Sequence, residues 1–280
     1  MGKTSIGVDY SRNPKNWDTF CATLKSRGYT FVGRYLPWDL AYAPRDKRAL
    51  TIPECEAMTR HGIRIFTWWE NSPDHIGAHT ERRAWDGYVA GAEDARRARY
   101  MMEYFGQSSK PIYFCVDVDT TAARVTPYFE GVCSVLPVAQ VGVYGGYAVV
   151  HGLRKSGLAD YACQTEAWKY NYGWSPYAQL RQWTVHGPGV INGVGCDGLD
   201  AYAEDFGQWM YGKKGLTMAD IEKIMAKLEA MQADIDKSQV AQSFRMNVAL
   251  AKDFGTEAEA KVEIAKALAA GVKLPDFMEK

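Results

Sequence analysis

Short apolar segments recur along most of the chain and are separated by segments in which apolar residues return every three or four positions. The first pattern is typical of buried strands and the second of amphipathic helices. Strands are predicted at residues 5–9, 30–36, 63–69, 112–117, 140–144, 161–166, 179–183 and 193–197, and helices at 17–27, 53–61, 81–105, 122–135 and 147–155. This alternation predicts an α/β fold, a parallel (β/α)₈ TIM-like barrel. The last three strands lie too close together for full helices between them, so we expect an irregular second half.

The pattern changes after residue 211. Residues 212–215 read Gly-Lys-Lys-Gly, as in a linker, and beyond them the chain is rich in Ala, Lys, Glu and Met without strand-like runs. Apolar residues there recur at alternating three- and four-residue steps, which predicts one apolar helix face with Ile221, Ile224, Leu228, Met231 and Ile235. We therefore expect a barrel domain over 1–211 and a helical appendage over 216–280. The appendage could fold back on the barrel, associate with itself or dock on another protein.

Charge and composition exclude several classes of function. The 33 basic residues balance the 33 acidic ones, which argues against a nucleic acid or an anionic membrane as partner. No stretch of about 18 uncharged apolar residues is present, so membrane insertion is not expected, and the N-terminal residues lack the apolar core of a signal peptide. The six cysteines and five histidines show no metal-ligand spacing, so neither a metal nor another cofactor is expected. We expect synthesis in the cytoplasm.

The segment 111–119, Pro-Ile-Tyr-Phe-Cys-Val-Asp-Val-Asp, is the most informative in the chain. It is an apolar run of strand length that ends in two carboxylates two positions apart. Alternate strand residues share a face, so Asp117 and Asp119 are predicted to project together. Two crowded acids do not both ionise easily, and one is then kept protonated, as general acid catalysis requires. The alternative is that Asp119 caps the helix that follows.

Other acids occupy corresponding positions. Acidic residues end or follow five predicted strands, namely Asp9, Glu70, Asp117 with Asp119, Glu166 and Asp197. In a (β/α)₈ barrel the active site lies at the carboxyl ends of the strands. Aromatic and hydrogen-bonding side chains fall at the same level: Arg34, Tyr35, Trp68, Trp69, Tyr144, Tyr147, Trp168, Gln182 and Trp183. Central acids surrounded by aromatic rings are typical of a glycan-binding site.

These residues also carry a resemblance to a known family. The matching pieces include Gly-Val-Asp-Tyr-Ser at 7–11, Val-Gly-Arg-Tyr-Leu at 32–36, Gly91 to Ala98, 111–119, Val-Gly-Val-Tyr-Gly at 141–145, Arg-Gln-Trp-Thr at 181–184 and Cys-Asp-Gly-Leu-Asp at 196–200. In their order and spacing, residues 5–209 resemble the glycoside-hydrolase-like domain related to family 25 lysozymes, found in secreted bacterial proteins and in phages of actinobacteria. The resemblance implies a barrel acting on the N-acetylmuramic acid to N-acetylglucosamine β-1,4 bond of peptidoglycan. The lysozymes carry Asp-x-Glu where this chain has Asp-x-Asp.

The resemblance and the strand pattern together assign roles to the candidate residues. Asp119 is predicted as general acid, with Asp117 orienting the reacting group and Glu70 as the alternative acid. Asp9 and Asp197 would hold the charge pattern of the site or bind sugar hydroxyls. The predicted substrate-binding residues are Arg34, Tyr35, Trp68, Trp69, Tyr144, Gln182, Trp183 and Asp197.

Three functions remain open at this stage. The first is a peptidoglycan hydrolase, either a phage lysin released to the cell wall or a virion-associated lysin. The second is a barrel that binds cell-wall glycan without cutting it, on a phage tail or a cell-envelope assembly. In the third, the appendage at 216–280 does the work, through self-association, contact with a virion protein or targeting to the wall.

Overall fold

The computed structural model describes residues 2–40, 46–70 and 80–212. The predicted helical appendage at 216–280 lies outside the described residues, as do positions 213–215 of the predicted linker. The strands are β1 Ser5–Asp9, β2 Phe31–Tyr35, β3 Arg64–Trp69, β4 Ile112–Cys115, β5 Val141–Gly145, β6 Tyr161–Thr165, β7 Leu180–Trp183, β8 Gly189–Ile191 and β9 Val194–Ala201. The helices are α1 Trp17–Ser26, α2 Ile52–Arg60, α3 Gly87–Tyr104, α4 Ala122–Cys133 and α5 Tyr147–Lys155. Short 3₁₀ helices cover Thr80–Asp86, Val138–Gln140 and Tyr170–Tyr172.

Eight of these strands form a closed barrel. Strands β1 to β7 are parallel and neighbour one another in chain order, and β9 closes the ring by pairing with both β7 and β1. Strand β8 pairs only with β9, as a hairpin beside the barrel. The predicted α/β barrel with an irregular second half is therefore confirmed.

The direction of the closing strand differs from the prediction. Strand β9 runs antiparallel to both of its barrel neighbours. A parallel connection needs roughly a dozen residues or more, usually with a helix, and the segment between β7 and β9 is too short for one. The chain instead makes the β8–β9 hairpin, and β9 enters the barrel from the end where the parallel strands finish. We call that end the barrel mouth.

The barrel interior is a packed core. Inward-facing side chains include Phe31, Phe66, Trp68, Tyr113, Cys115, Tyr144, Cys163, Leu180 and Leu199. The end opposite the mouth is filled by Phe206, whose ring lies 4.6 Å from that of Phe31 and whose carbonyl accepts a hydrogen bond from the Tyr113 hydroxyl at 2.8 Å. A ligand can therefore approach the interior from the mouth.

The helices cover the outside of the barrel. Helix α3 begins six residues later than predicted because Gly87 has a φ of +77°, which interrupts the helix after the 3₁₀ turn. No helix in the described ranges combines the length and the apolar character needed to cross a membrane.

Helices α3 and α4 approach each other at two glycines. A methyl group at Gly91 would lie 1.9 Å from the Tyr128 carbonyl oxygen, and one at Gly131 would lie 2.0 Å from the Tyr88 carbonyl oxygen. Because both obstacles are backbone atoms, the helices themselves would have to separate. We expect Gly91→Ala to lower the free energy of unfolding by at least about 2 kcal/mol in urea titrations. The matched control, Gly195→Ala, meets no atom within 4 Å, and equal stability of the two variants would contradict this account of the helix contact.

Candidate active site

Two carboxylates face each other across the strands that close the barrel. Asp9 is the last residue of β1 and is directly opposite Asp197 in the antiparallel register. Side chains at such positions share a face, with Cβ atoms about 4.5–5.5 Å apart. Both residues line a cavity of about 330 Å³ at the barrel mouth, whose walls come from the segment after β1, from β2 and from the β8–β9 hairpin. We call it the mouth cavity.

The environment of Asp9 favours its protonated form. Its side chain is only 2% exposed. Burial, and then repulsion from Asp197, raise the pKa of Asp9 from 3.8 to about 8. Asp9 is therefore mainly neutral at pH 7 and able to donate a proton. Asp197 is half-buried, and burial followed by the charge of Asp117 raises its pKa as well.

A chain of hydrogen bonds orients Asp9. The Gln182 amide nitrogen donates to Asp9 Oδ2 at 2.9 Å, and the Gln182 amide oxygen accepts from the Tyr144 hydroxyl at 2.7 Å. The same hydroxyl lies 3.4 Å from Asp117 Oδ1. Protonation of Asp9 at Oδ1 would leave the hydrogen bond at Oδ2 intact.

Glu70 joins Asp9, Asp117 and Asp197 in a group that we call the acidic cluster, and Tyr35 lies beside it. Burial raises the pKa of Tyr35 well above its usual value, and the charges of Glu70, Asp9 and Asp117 add to the effect. The Arg48 guanidinium lies 3.6 Å from the Glu70 carboxylate and 5.6 Å from the centre of the Tyr35 ring. The Arg48 cation therefore lies beside one acid of the mouth, Glu70, while the other acids stay close to one another.

The structure thus brings together most of the residues predicted for the site. Those that meet at the mouth are Asp9, Tyr35, Glu70, Asp117, Tyr144, Gln182 and Asp197. Cys115 also lies close to these residues but was not predicted for the site. Burial, and then the charges of Glu70 and Asp117, raise the pKa of its thiol. Its inward position, two residues before Asp117, was the signal for it.

Asp119 lies elsewhere. Strand β4 ends at Cys115, so Asp117 and Asp119 belong to the loop before α4 and do not share a strand face. Asp119 is exposed, and its carboxylate accepts a hydrogen bond from the Tyr170 hydroxyl. This placement does not support its predicted role as general acid.

Arg34 and Trp69 point away from the mouth. Arg34 is fully buried outside the barrel, where its guanidinium pairs with the buried Glu54 of α2. Trp69 is 1% exposed, with its ring centre 5.7 Å from that of Trp38. Adjacent strand residues face opposite sides, so Tyr35 and Trp68 turn inward and these two neighbours turn outward. Neither outward side chain can contact a ligand at the mouth.

The other two tryptophans, Trp68 and Trp183, do not line the mouth cavity, whereas Asp197 does. Trp183 donates from its indole nitrogen to Asp200 at 3.1 Å and lines a second cavity, of about 480 Å³, on the outer side of β1 and β9. Trp68 faces inward but is 2% exposed, with its ring centre 5.3 Å from that of Tyr144. It does not line the mouth cavity. Asp197 lies in the first half of β9 and does not end it, yet the reversed direction of β9 still places it at the mouth.

The site offers no obvious metal position. Within residues 2–40, 46–70 and 80–212, no group of three or more His, Cys, Asp or Glu side chains is arranged to hold a metal ion. The chemistry of the described site is that of a protonated acid beside carboxylates and hydrogen-bonding side chains.

Comparison with known proteins adds to this geometry. Two crystal structures of the Mycobacterium tuberculosis Tat-secreted protein Rv2525c, in complex with HEPES and with L-tartrate, are each 21% identical to the chain. Each covers 73% of this chain and 98% of the other, with TM-scores of 0.60 and 0.61. An uncharacterized B. stearothermophilus protein is 16% identical over 76% of this chain and 98% of its own, with a TM-score of 0.46. A search of curated proteins finds no match.

The likeness to Rv2525c supports the barrel fold seen here. The family model of the Rv2525c-like, glycoside hydrolase-like domain matches residues 22–202. That range runs from α1 to the end of β9 and includes every member of the acidic cluster except Asp9. The chain therefore belongs to the Rv2525c-like, glycoside hydrolase-like domain family.

Proposed function

We propose that this barrel hydrolyses a glycosidic bond of a cell-wall glycan, with peptidoglycan as the substrate. The observation that carries the proposal is the Asp9–Asp197 pair in the mouth cavity. Glycoside hydrolysis needs one protonated carboxyl group beside one carboxylate, and the pKa of about 8 at Asp9 supplies the first. Membership of a glycoside hydrolase-like family supports the same reaction class.

In the proposed reaction, Asp9 donates its proton to the glycosidic oxygen as the bond to the anomeric carbon breaks. The Asp197 carboxylate bonds to that carbon from the other face. Asp9, now ionised, then takes a proton from a water molecule whose oxygen bonds to the anomeric carbon as the bond from that carbon to Asp197 breaks, which releases the sugar and restores both side chains. Directly opposed residues on antiparallel strands have Cβ atoms about 4.5–5.5 Å apart, a spacing compatible with the roughly 5–5.5 Å between the carboxyl groups of retaining glycosidases.

The remaining acids have supporting roles in this scheme. Tyr144, whose hydroxyl also lies near Asp117, holds Gln182, and Gln182 holds Asp9. Glu70 contributes negative charge that helps to keep Asp9 protonated.

The setting of the proposed reaction is the cell wall. The protein would reach it either after release from the cytoplasm in which it is made or as part of a virion. The appendage at 216–280 would serve self-association, docking to a virion protein or wall targeting.

The test is release of reducing ends and mass analysis of fragments from purified actinobacterial peptidoglycan. We expect the full chain to cut the glycan strand, and Asp9→Asn to lower the rate by about 10²- to 10⁴-fold because the general acid is lost. Asp197→Asn should have a comparable effect. The matched control is Asp200→Asn, which removes a carboxylate from the outward face of the same strand, where it pairs with Lys3 at 3.2 Å. Cleavage that persists in Asp9→Asn would remove Asp9 from the mechanism.

A second candidate is glycan binding without cleavage. It is favoured by one observation: Asp119, which stands where the lysozymes carry their second acid, is exposed and bonded to Tyr170. Sedimentation of the protein with intact walls, with no new reducing ends, would support this function over hydrolysis.

A further inference from the structure

Two tyrosine rings stand in solvent beside the barrel mouth. Tyr170 is 63% exposed and Tyr172 is 68% exposed, and both lie in the loop after β6. A third, Tyr147, opens α5 directly beyond the end of β5. Loops after the parallel strands lie at the mouth. We call these three residues the tyrosine platform.

Two rings of the platform, Tyr147 and Tyr172, are stacked on each other. The Tyr172 ring stacks on Tyr147 at 5.0 Å and 12°, and Tyr147 stacks on His151 at 5.1 Å and 16°. Tyr172 stays 68% exposed although one face of its ring takes part in this stack, so most of its remaining surface faces solvent. Exposed aromatic rings held in such an array offer flat apolar surfaces to a ligand.

Tyr170 is held in an unusual conformation. Its φ is +45°, a region that residues other than glycine rarely adopt and that is concentrated at functional positions. Its hydroxyl donates a hydrogen bond to Asp119. The Asp119 carboxylate therefore fixes a ring that packing does not hold.

The loop that carries the tyrosines is braced from within. The Gln164 side chain is fully buried, donates to the Gly173 carbonyl at 2.8 Å and accepts from the Ser175 backbone amide at 2.7 Å. This brace fixes the loop directly after the two exposed rings. The rings are thus presented by a preorganised segment, which lowers the entropic cost of binding.

The platform adjoins the acidic cluster through one short loop. Asp119 is two residues after Asp117, so their Cα atoms are at most about 7 Å apart. Asp117 contacts Tyr144, which is bonded to Gln182 and through it to Asp9. One loop therefore places one acid in the cluster and the other on the platform.

We infer that the tyrosine platform binds successive sugar rings of a glycan chain that extends out of the mouth cavity, and that Asp119 is a positioning residue for Tyr170. The inference rests on the proposed function and deepens it: the ligand is a polymer of several sugars rather than a single sugar or disaccharide. The apolar faces of pyranose rings pack on tyrosine rings, while the acids at the cavity bind the unit at the chain's inner end.

The test compares two ligands of different length. The probes are the peptide-free disaccharide of N-acetylglucosamine and N-acetylmuramic acid and the hexasaccharide of three such repeats. Binding is titrated calorimetrically in the full chain carrying Asp9→Asn, which prevents turnover. We expect the hexasaccharide to bind at least about tenfold more tightly than the disaccharide. Tyr170→Ala and Tyr172→Ala should each weaken hexasaccharide binding about five- to tenfold and leave disaccharide binding unchanged.

A double-mutant cycle tests the role given to Asp119. Asp119→Ala and Tyr170→Phe should each weaken hexasaccharide binding about threefold, and the double variant should lose no more than either alone, because both remove the same hydrogen bond. Additive losses would overturn the positioning role.

Further controls separate this inference from the proposed function. Tyr88→Ala, at a tyrosine of α3 that is 50% exposed, should leave the affinity for both ligands unchanged. The platform is overturned if Tyr170→Ala and Tyr172→Ala behave like Tyr88→Ala while the unaltered protein still cuts peptidoglycan. Failure of the protein to bind either ligand, together with absence of cleavage, overturns the proposed function and the platform with it.

Discussion

The Asp9→Asn variant is expected to be more stable than the unaltered protein at pH 8, and this advantage should disappear near pH 4. The pKa of Asp9 rises on folding from 3.8 to about 8, because of burial first and of Asp197 second. Between these pH values the unfolded chain has released the proton while the folded protein keeps it. Folding therefore binds a proton, and the free energy of unfolding falls as the pH rises, until about pH 8.

Asparagine removes this cost because it stays neutral at every pH and its side-chain oxygen can still accept from Gln182. One pKa unit corresponds to about 1.4 kcal/mol, so the shift at Asp9 sets an upper bound of about 6 kcal/mol for the difference at pH 8. Urea titrations of both proteins at several pH values between 4 and 8 measure it. Asp197→Asn, with Asp9 kept, should lower the pKa of folded Asp9 because it removes a repulsive charge. The decline of stability with pH should then end at a lower pH.

The control for loss of a carboxylate is Asp200→Asn, on the outward face of β9. A stability difference between Asp9→Asn and the unaltered protein that does not change with pH would mean that folded Asp9 is ionised at neutral pH. It would then no longer serve as the acid in the proposed reaction.

The second large effect is expected outside the site, at Arg34. Arg34→Met should lower the free energy of unfolding by about 3–5 kcal/mol, because Glu54 would be left charged and buried without its partner. The hydrogen bond from the Tyr10 hydroxyl to the Glu54 carboxylate, at 2.7 Å, would remain but does not neutralise the charge. Adding Glu54→Gln should recover part of the loss, since glutamine keeps an acceptor for Tyr10 and carries no charge.

A matched surface pair gives the scale of this effect. The Arg60 guanidinium lies 3.0 Å from the Asp18 carboxylate, but both side chains are more than half exposed. Arg60→Met is expected to cost less than about 1 kcal/mol in the same urea titration. A loss at Arg34 no larger than that at Arg60 would show that the buried pair does not stabilise the fold as described.

Much of the fold follows from the spacing of apolar residues, because short apolar runs separated by helical segments leave few alternatives to a barrel. All eight predicted strands are present, as are five helices in the predicted places. The direction of β9 did not follow, since the apolar pattern of a strand is the same in both directions. Only the length of the preceding connection carries that information, and it is too short for a parallel crossover.

The candidate site, like the fold, was predicted only in part. Acids at strand ends met at the mouth as expected, because parallel strands finish at the same end. Arg34, Trp69 and Trp183 did not join them, because adjacent residues of a strand cannot both face inward. Tyr35 and Gln182, their neighbours, occupy the inward positions. Asp119 was misplaced because β4 ends two residues before Asp117, and strand alternation does not extend into a loop.

The antiparallel closure by β9 has a consequence for how the protein acquires its proposed activity. Asp9 belongs to the first strand and Asp197 to the last, and their juxtaposition is a product of the same backbone pairing that seals the ring. Contacts between residues so distant in sequence carry a large loop-closure cost and are slow to form. A chain truncated before Val194, or still emerging from the ribosome, would therefore lack the acid pair, so that the potential to cut glycan arises only with the finished barrel.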